Sequence, residues 1–362
     1  MSEARPGQSE YMHWAKTHPR TRFDLATSGI PPIALADLGA VWEDLALEPP
    51  RGYGYAPLSE AISARYGVSA EHVVTAAGTS GANHLAMAAL LDRGDDVVCE
   101  TPGYEPLGTL AAHLGAHVRT VERRAERGFA IDPDDLARAL SPRTRLVVLS
   151  NLHNPSSAAI DEPTLRALGD LAGRVGATVL VDEVYLDAAV ERAPPSAAGL
   201  DGPFVVTSSL TKVYGISGLR AGWIVASPEL ARRMWRLKDL FGVNDAHPAE
   251  RLALSALARL EDLAARARRI LDANRRVWNE FVARHADYLA VEPQPWGTTS
   301  FPRLRRTDGD TLAAVLSERY ETTIVPGRYF GAPRHVRVGL CCDPETFPEA
   351  LERLQRALRE NG

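Results

Sequence analysis

Short apolar runs alternate with helical patterns between about residues 72 and 227. The runs are rich in Val, Leu and Ile and lack polar alternation, which is typical of strands that are buried on both faces. Helical patterns that end in Gly or turn residues separate most of them. We therefore predict an α/β fold with a mainly parallel sheet covered by helices. The predicted strands cover residues 96–99, 117–121, 146–150, 178–181, 204–207 and 223–226.

The pattern changes after this region. Helices are predicted at 228–240 and, with one break, at 248–286, and they are followed by a mixture of short strands and helices. Such an α+β mixture is typical of a second, smaller domain. We assign residues 46–240 to a large domain and residues 1–45 with 241–362 to the small one. The predicted elements at the C-terminal end are strands at 300–304, 323–325 and 335–338 and helices near 311–320 and 344–359.

Composition and charge exclude several classes of protein. The 41 Lys and Arg against 46 Asp and Glu give a net charge of -5, so the chain has no overall positive field for nucleic acid or anionic lipid. The longest apolar run, residues 85–91, is too short to span a bilayer, and the N-terminal start lacks an apolar signal core. Three cysteines, two of them adjacent, match neither a disulfide framework nor a metal site. We expect a soluble cytoplasmic protein.

Polar side chains follow three neighbouring predicted strands. Asn154 lies beyond one strand, Asp182 follows the next, and Lys212 follows the third. In open α/β sheets, ligands bind at the carboxyl ends of the strands. Taken singly, Asp182 also suits a helix cap, Asn154 a turn and Lys212 a solvated surface. Together they predict one site that holds an amide, a carboxylate and an amine.

A second group of residues suits an anion. The segment GTSG at 78–81 opens a predicted helix, whose first N–H groups and dipole favour a phosphate. Thr79 and Ser80 also suit an ordinary helix cap. Ser209 and Arg220 offer a hydroxyl and a charge to the same phosphate, although Arg220 also suits a structural ion pair.

Together with an aromatic residue, Tyr104, these groups match what pyridoxal 5'-phosphate requires of its protein. The segments TSSLTK at 207–212 and GLRAG at 218–222 are similar to the Ser-x-x-Lys and Gly-x-Arg-x-Gly signature of the class I and II aminotransferases. VDEVY at 181–185 resembles their Asp-x-x-Tyr motif. The chain thus resembles the fold-type-I pyridoxal phosphate enzymes from about residue 25 to near its C-terminus. The resemblance implies pyridoxal 5'-phosphate as cofactor and a seven-stranded type of sheet in the large domain.

The resemblance also implies a role for each matched residue around the cofactor ring. Lys212 is the lysine that forms the Schiff base, and Asp182 is the partner of the pyridine nitrogen. Asn154 and Tyr185 hydrogen-bond the cofactor phenolate oxygen, and Tyr104 stacks on the ring. We expect Lys212, Asp182 and Tyr185 to be the catalytic residues.

Further implied roles concern the phosphate, the substrate and a second subunit. Tyr55 reaches the phosphate from the neighbouring subunit, which implies a homodimer. Arg337 grips the substrate α-carboxylate beside Gly29 and Asn154, although Arg337 also suits a structural salt bridge. The phosphate-binding residues of the chain itself are Thr79, Ser80, Ser209 and Arg220.

The chain departs from the family pattern at Ser59, where a glycine is usual, and in two segments. Residues 156–158 are Ser-Ser-Ala where Thr-Gly is usual, and residues 297–301 are GTTSF in place of a glycine- and aromatic-rich segment near the substrate. His153, Thr298 and Thr299 are therefore candidates for hydrogen-bonding groups that line the site. Ordinary loop contacts are the alternative for these three residues.

The favoured function is transfer of the amino group of an L-amino acid to a 2-oxo acid through a Schiff base on Lys212. The same cofactor and fold also suit β-elimination of a cysteine S-conjugate, or decarboxylating or oxidative deamination, in bacterial antibiotic biosynthesis. The named residues do not separate these outcomes, because fold and cofactor do not set the reaction type. A regulator of this family needs a DNA-binding module, for which the stretch before residue 49 offers no room. A binding-only protein is disfavoured because Lys212, Asp182 and Arg220 are all present.

Overall fold

The computed structural model describes residues 6–48, 51–189 and 194–360. Within these residues the α-helices are α1 (Glu10–Thr17), α2 (Ala56–Tyr66), α3 (Gly78–Leu90), α4 (Glu105–His113), α5 (Pro133–Ala139), α6 (Glu162–Arg174), α7 (Pro228–Lys238), α8 (His247–Leu257), α9 (Leu260–Arg284), α10 (Gly309–Tyr320) and α11 (Phe347–Glu360). The strands are β1 (Phe23–Asp24), β2 (Val73–Ala77), β3 (Asp96–Thr101), β4 (His117–Glu122), β5 (Thr144–Ser150), β6 (Thr178–Asp182), β7 (Phe204–Ser209), β8 (Ala221–Val225), β9 (Leu289–Ala290), β10 (Thr299–Ser300), β11 (Arg303–Leu304), β12 (Thr322–Thr323), β13 (Val325–Pro326) and β14 (Val336–Gly339).

Seven strands form the main sheet, in the order β2-β8-β7-β6-β5-β3-β4. Strands β3 to β7 pair in parallel, and β8 runs antiparallel to both of its neighbours. The predicted α/β fold with a mainly parallel sheet is confirmed. For each of the six predicted strands, the first and last residues lie within two residues of those of an observed strand. Strand β2 was not predicted, because its five residues VVTAA run directly into the glycine that opens α3.

The apolar runs arise because both faces of the central strands are covered. In β8, Ile224 packs in one core cluster while Trp223 and Val225 pack in the other, on the opposite face of the sheet. The expectation of burial on both faces is wrong for β4. This strand pairs only with β3 at the sheet edge, and Val121 is its buried residue. An edge position leaves the other side chains of β4 exposed.

The N-terminal segment joins the C-terminal part of the chain through β1, which pairs in parallel with β12. This pairing supports the division into residues 46–240 and the two flanking segments, which stays a prediction. The predicted strand at 300–304 is in fact two strands, since β10 pairs with β14 while β11 pairs with β9. The run at 323–325 is likewise divided between β12 and β13. None of the helices in the described residues combines the length and apolar character needed to cross a membrane.

Candidate active site

One cavity of about 1010 Å³ is lined by residues that follow three adjacent parallel strands. Strands β5, β6 and β7 are neighbours in the sheet, so their carboxyl ends meet at one edge. The cavity brings together nine of the residues predicted from the sequence. They are Thr79, Ser80, Tyr104, Asn154, Asp182, Tyr185, Lys212, Arg220 and Arg337.

The carboxylate of Asp182 is buried at the end of β6. Burial raises its pKa to about 6, although hydrogen bonds to the ionised form oppose that rise. One bond comes from Asn83 Nδ2 at 2.8 Å and another from the backbone N–H of Val184 at 3.1 Å. The Thr207 hydroxyl donates to Asn83 Oδ1 at 2.6 Å, which turns the amide donor towards Asp182. The sequence prediction missed Asn83, whose signal is a polar residue at a buried position of α3.

The amine of Lys212 meets a hydroxyl that was also missed. Lys212 Nζ donates to Ser28 Oγ at 3.2 Å, and the Tyr185 hydroxyl donates to the same oxygen at 2.8 Å. Burial lowers the pKa of Lys212, because the charged amine is less well solvated there. A lower pKa makes the neutral, nucleophilic amine more accessible. The Ser28 hydroxyl thus links the Lys212 amine to the Tyr185 phenol through two hydrogen bonds.

Gly29 lies against the backbone of Lys212. A Cβ added at Gly29 would be 3.4 Å from the Lys212 carbonyl oxygen. Gly29 lines an adjoining cavity of about 440 Å³ that also reaches Lys212. The next residue, Ile30, donates its backbone N–H to the Lys212 carbonyl at 2.7 Å. The segment therefore fixes the base of the lysine side chain.

A tight cradle lies at the start of α3. Gly78 has φ of +71°, and a Cβ there would lie 2.3 Å from Nη2 of Arg220. A Cβ at Gly222 would lie 2.4 Å from the Gly78 carbonyl carbon, so glycine is needed at both positions. The Thr79 hydroxyl donates to Ser209 Oγ at 2.7 Å, which places the predicted Ser209 just behind the cavity wall. Free N–H groups, hydroxyls and a guanidinium at a helix start fit a phosphate group.

Arg337 is a buried cation with 1% of its surface exposed. Its Nη1 donates to Asn154 Oδ1 at 3.1 Å, and its Nη2 donates to the Ala26 carbonyl at 2.8 Å and the Tyr11 hydroxyl at 2.9 Å. All three acceptors are neutral oxygens. Within the described parts of the chain the structure gives Arg337 no carboxylate partner, which argues against the structural salt bridge. A buried cation without a counter-charge is costly, so the site fits an anionic ligand.

The side chains of His153, Thr298 and Thr299 do not line this cavity. His153 Nδ1 bonds Ser156 Oγ at 2.6 Å, and the Thr299 hydroxyl donates to the Pro155 carbonyl at 2.9 Å. The first bond lies within the loop that carries Asn154, and the second joins that loop to the segment of Thr299. The expectation that the three residues line the site is therefore wrong, and ordinary loop contacts account for them.

A buried ion pair supports the loop that carries Asn154. Arg123 Nη1 contacts Glu100 Oε2 at 2.8 Å, and both side chains are almost fully buried. The Ser150 backbone N–H donates to the other oxygen of Glu100 at 2.8 Å. The Asn154 N–H donates in turn to Ser150 Oγ at 3.1 Å. The sequence did not predict this pair, since Glu100 and Arg123 lie on different elements.

Tyr55 stands apart from the cavity. It directly precedes α2 and packs edge-on against His247 with ring centroids 5.0 Å apart. Its backbone N–H donates to Glu250 Oε1 at 3.2 Å. It is not part of the cavity wall in its own chain. The predicted contact with the phosphate of a neighbouring subunit stays a prediction.

Comparison with known proteins gives consistent matches. The family described as aminotransferase class I and II matches residues 47–354. Capreomycidine synthase of Streptomyces vinaceus is 34% identical over 304 residues, which cover 83% of this chain and 78% of that protein. A solved structure of a PLP-dependent aminotransferase from Streptococcus suis covers 100% of this chain and 99% of its own, with a TM-score of 0.91 and 26% identity. The solved PLP-dependent cyclase OrfR covers both chains fully, with a TM-score of 0.89 and 28% identity.

Proposed function

The chain belongs to the class I and II aminotransferases, which use pyridoxal 5'-phosphate, and from this premise we propose where and how it acts. It transfers the amino group of an L-amino acid to a 2-oxo acid in the cavity around Lys212. The observation that carries this proposal is the common cavity wall of Lys212, Asp182 and Arg337. The bound cofactor supplies an electron sink for the bond that breaks at the substrate α-carbon.

Each residue around the cofactor has a separate role in the proposed reaction. Lys212 would hold the cofactor covalently through Nζ, and its free amine would carry a proton to and from the substrate α-carbon. Asp182, when ionised, keeps the pyridine nitrogen protonated. Asn154 and Tyr185 bind the phenolate oxygen, and Tyr104 covers the ring. The buried position of Asp182 and the partly buried position of Lys212 support these roles, because charge interactions are stronger away from water.

The two ends of the ligands are held by separate groups. The α3 cradle, with Gly78, Thr79, Ser80 and Ser209 beside Arg220, would hold the phosphate. Arg337 would bind the substrate α-carboxylate, next to Asn154 and Gly29. This contact would fix which bond at the α-carbon is perpendicular to the ring. The missing counter-charge of Arg337 supports this assignment.

We propose that the active form is a homodimer in which Tyr55 crosses to the partner's phosphate site. Large exposed apolar side chains support a second copy, because a monomer rarely leaves many of them in water. They include Trp42 and Leu47 in the N-terminal segment and Leu240, Phe241 and Val243 after α7. We also place the protein in the reducing cytoplasm, which the free cysteines in the described residues support.

A second candidate function is suggested by two of the matched proteins. The relative that matches by sequence is named a synthase, and one solved structure that shares this fold is named a cyclase. In that case the same site would break a bond at the substrate β-carbon after loss of the α-proton. The Arg337 and Lys212 contacts suit both outcomes, because each begins with the same bound amino acid.

The test is incubation of the reconstituted protein with the twenty proteinogenic L-amino acids and with S-conjugates of cysteine, each with and without pyruvate or 2-oxoglutarate. Mass analysis should find an amino acid formed from the 2-oxo acid. Product formation that does not require the 2-oxo acid would favour the second candidate function. Lys212→Ala is the matched control and should form no product in either arm. A wild-type protein that binds no cofactor and forms no product would refute the proposal.

A further inference from the structure

Tyr11 brings a phenol from the N-terminal helix into the substrate site. It lies on α1, is only 7% exposed, and forms part of the cavity wall. Its hydroxyl oxygen accepts a hydrogen bond from Arg337 Nη2 at 2.9 Å, across 326 positions of sequence. Neither the motifs nor the roles discussed above account for this contact.

The hydrogen bonds of Arg337 show why a further donor is needed. Both N–H groups of Nη2 have acceptors, namely the Tyr11 hydroxyl and the Ala26 carbonyl. One N–H of Nη1 is bound to Asn154, and Nε has no partner among the described residues. A bidentate contact with a carboxylate uses two adjacent nitrogens. In this guanidinium each adjacent pair includes Nη2, so a carboxylate finds no fully free pair.

We propose that the Tyr11 hydroxyl donates a hydrogen bond to the substrate α-carboxylate and so completes the site with Arg337. Because the Tyr11 oxygen accepts from Arg337, its own proton is free to be donated. The carboxylate then receives one bond from Arg337 and one from Tyr11 without breaking the bonds of Nη2. This inference rests on the proposed function, in which Arg337 binds that carboxylate.

Ring contacts hold Tyr11 in place without the help of its hydroxyl. Its ring lies 5.7 Å from Tyr104, 5.8 Å from Tyr329 and 5.7 Å from Phe330, measured between centroids. The helix is also tied to α4 through Ser9, which donates to Glu105. Tyr11→Phe therefore removes the hydroxyl while the ring keeps its neighbours. A change in ligand binding by this variant reports on the hydroxyl.

The experiment measures binding of amino acids to the reconstituted wild type and Tyr11→Phe by calorimetry, using the twenty proteinogenic L-amino acids in turn. The best ligand of the wild type is then compared with the amine that lacks its α-carboxylate. A hydrogen bond to a charged group predicts that Tyr11→Phe weakens amino acid binding at least about 10-fold and leaves amine binding unchanged. Cofactor affinity should also be unchanged. Tyr329→Phe is the control, because its hydroxyl accepts instead from Arg328 at 2.8 Å.

The other outcomes separate the two proposals. Equal amino acid binding by Tyr11→Phe and wild type would overturn the role of Tyr11 alone. Tighter binding by the variant would also overturn it, because the hydroxyl would then be a competitor for Arg337. A wild type that binds none of the amino acids would overturn the proposed function and this inference with it.

Discussion

Replacing Asn83 by leucine should move the titration of Asp182 towards neutral pH. Leucine has the same branched shape but offers no donor, so the bond from Asn83 Nδ2 to Asp182, 2.8 Å long, is lost. Burial has already raised the pKa of Asp182 to about 6. The lost bond stabilised the ionised carboxylate, so its removal must raise the pKa further.

The size of the shift follows from the bond that is lost. A hydrogen bond to a charged group contributes about 1.5–3 kcal/mol, and one pKa unit corresponds to about 1.4 kcal/mol. Asn83→Leu should therefore raise the pKa of Asp182 by roughly one to two units, to about 7 or 8. At pH 7 the ionised fraction falls from about nine-tenths to between about one half and one tenth. If the protonated pyridine needs the ionised partner, cofactor affinity at pH 7 falls about 2- to 10-fold.

The assay is the dissociation constant of pyridoxal 5'-phosphate, measured from pH 5.5 to 9 by its visible absorbance on binding. Dividing the dissociation constant of the variant by that of the wild type cancels the effect of the titration of the cofactor's own phosphate. We expect the ratio to be largest at the acid end of this range, to fall steeply between about pH 6 and 8 and to approach one by pH 9, where Asp182 is ionised in both proteins. Thr207→Val loosens only the orientation of Asn83 and should give a smaller shift in the same direction. Parallel pH profiles would refute the reasoning and indicate a general packing defect.

Three further predictions follow from other parts of the site. Lys212→Ala should keep the fold by circular dichroism but bind the cofactor without the absorbance of a covalent imine; a retained imine band would show that another amine holds the cofactor. Gly78→Ala should weaken binding of pyridoxal 5'-phosphate more than that of pyridoxal, because the new methyl group collides with Arg220 in the phosphate cradle; equal losses would argue against a phosphate site there. Glu100→Gln should lower the free energy of unfolding by about 3–5 kcal/mol in urea titration, because Arg123 is left buried without its partner. The double variant with Arg123→Met should recover much of that loss, and an unstable double variant would contradict the charge argument.

The sequence predicted the main sheet well, because two core clusters impose long apolar runs on its central strands. It failed at the ends of the sheet. Burial of β4 depends on its edge position, and β2 runs without a break into the glycine that opens α3. The split of the predicted strand at 300–304 depends on which partner each half meets. Strand order and pairing are long-range properties that no local period contains.

The residues of the site likewise include some that the sequence predicted and some that it missed. Lys212, Asp182 and Asn154 were found because each follows a buried strand, and parallel strands bring their carboxyl ends together. Ser28, Asn83 and the Glu100–Arg123 pair act through partners far away in sequence, and their residue types are common in ordinary structure. Local chemistry and its position on the strands thus indicated the site and its candidate amine, and the resemblance of the sequence motifs implied the family and the cofactor. Only the folded chain decided which neutral groups surround each buried charge, because those contacts exist only after distant segments have packed together.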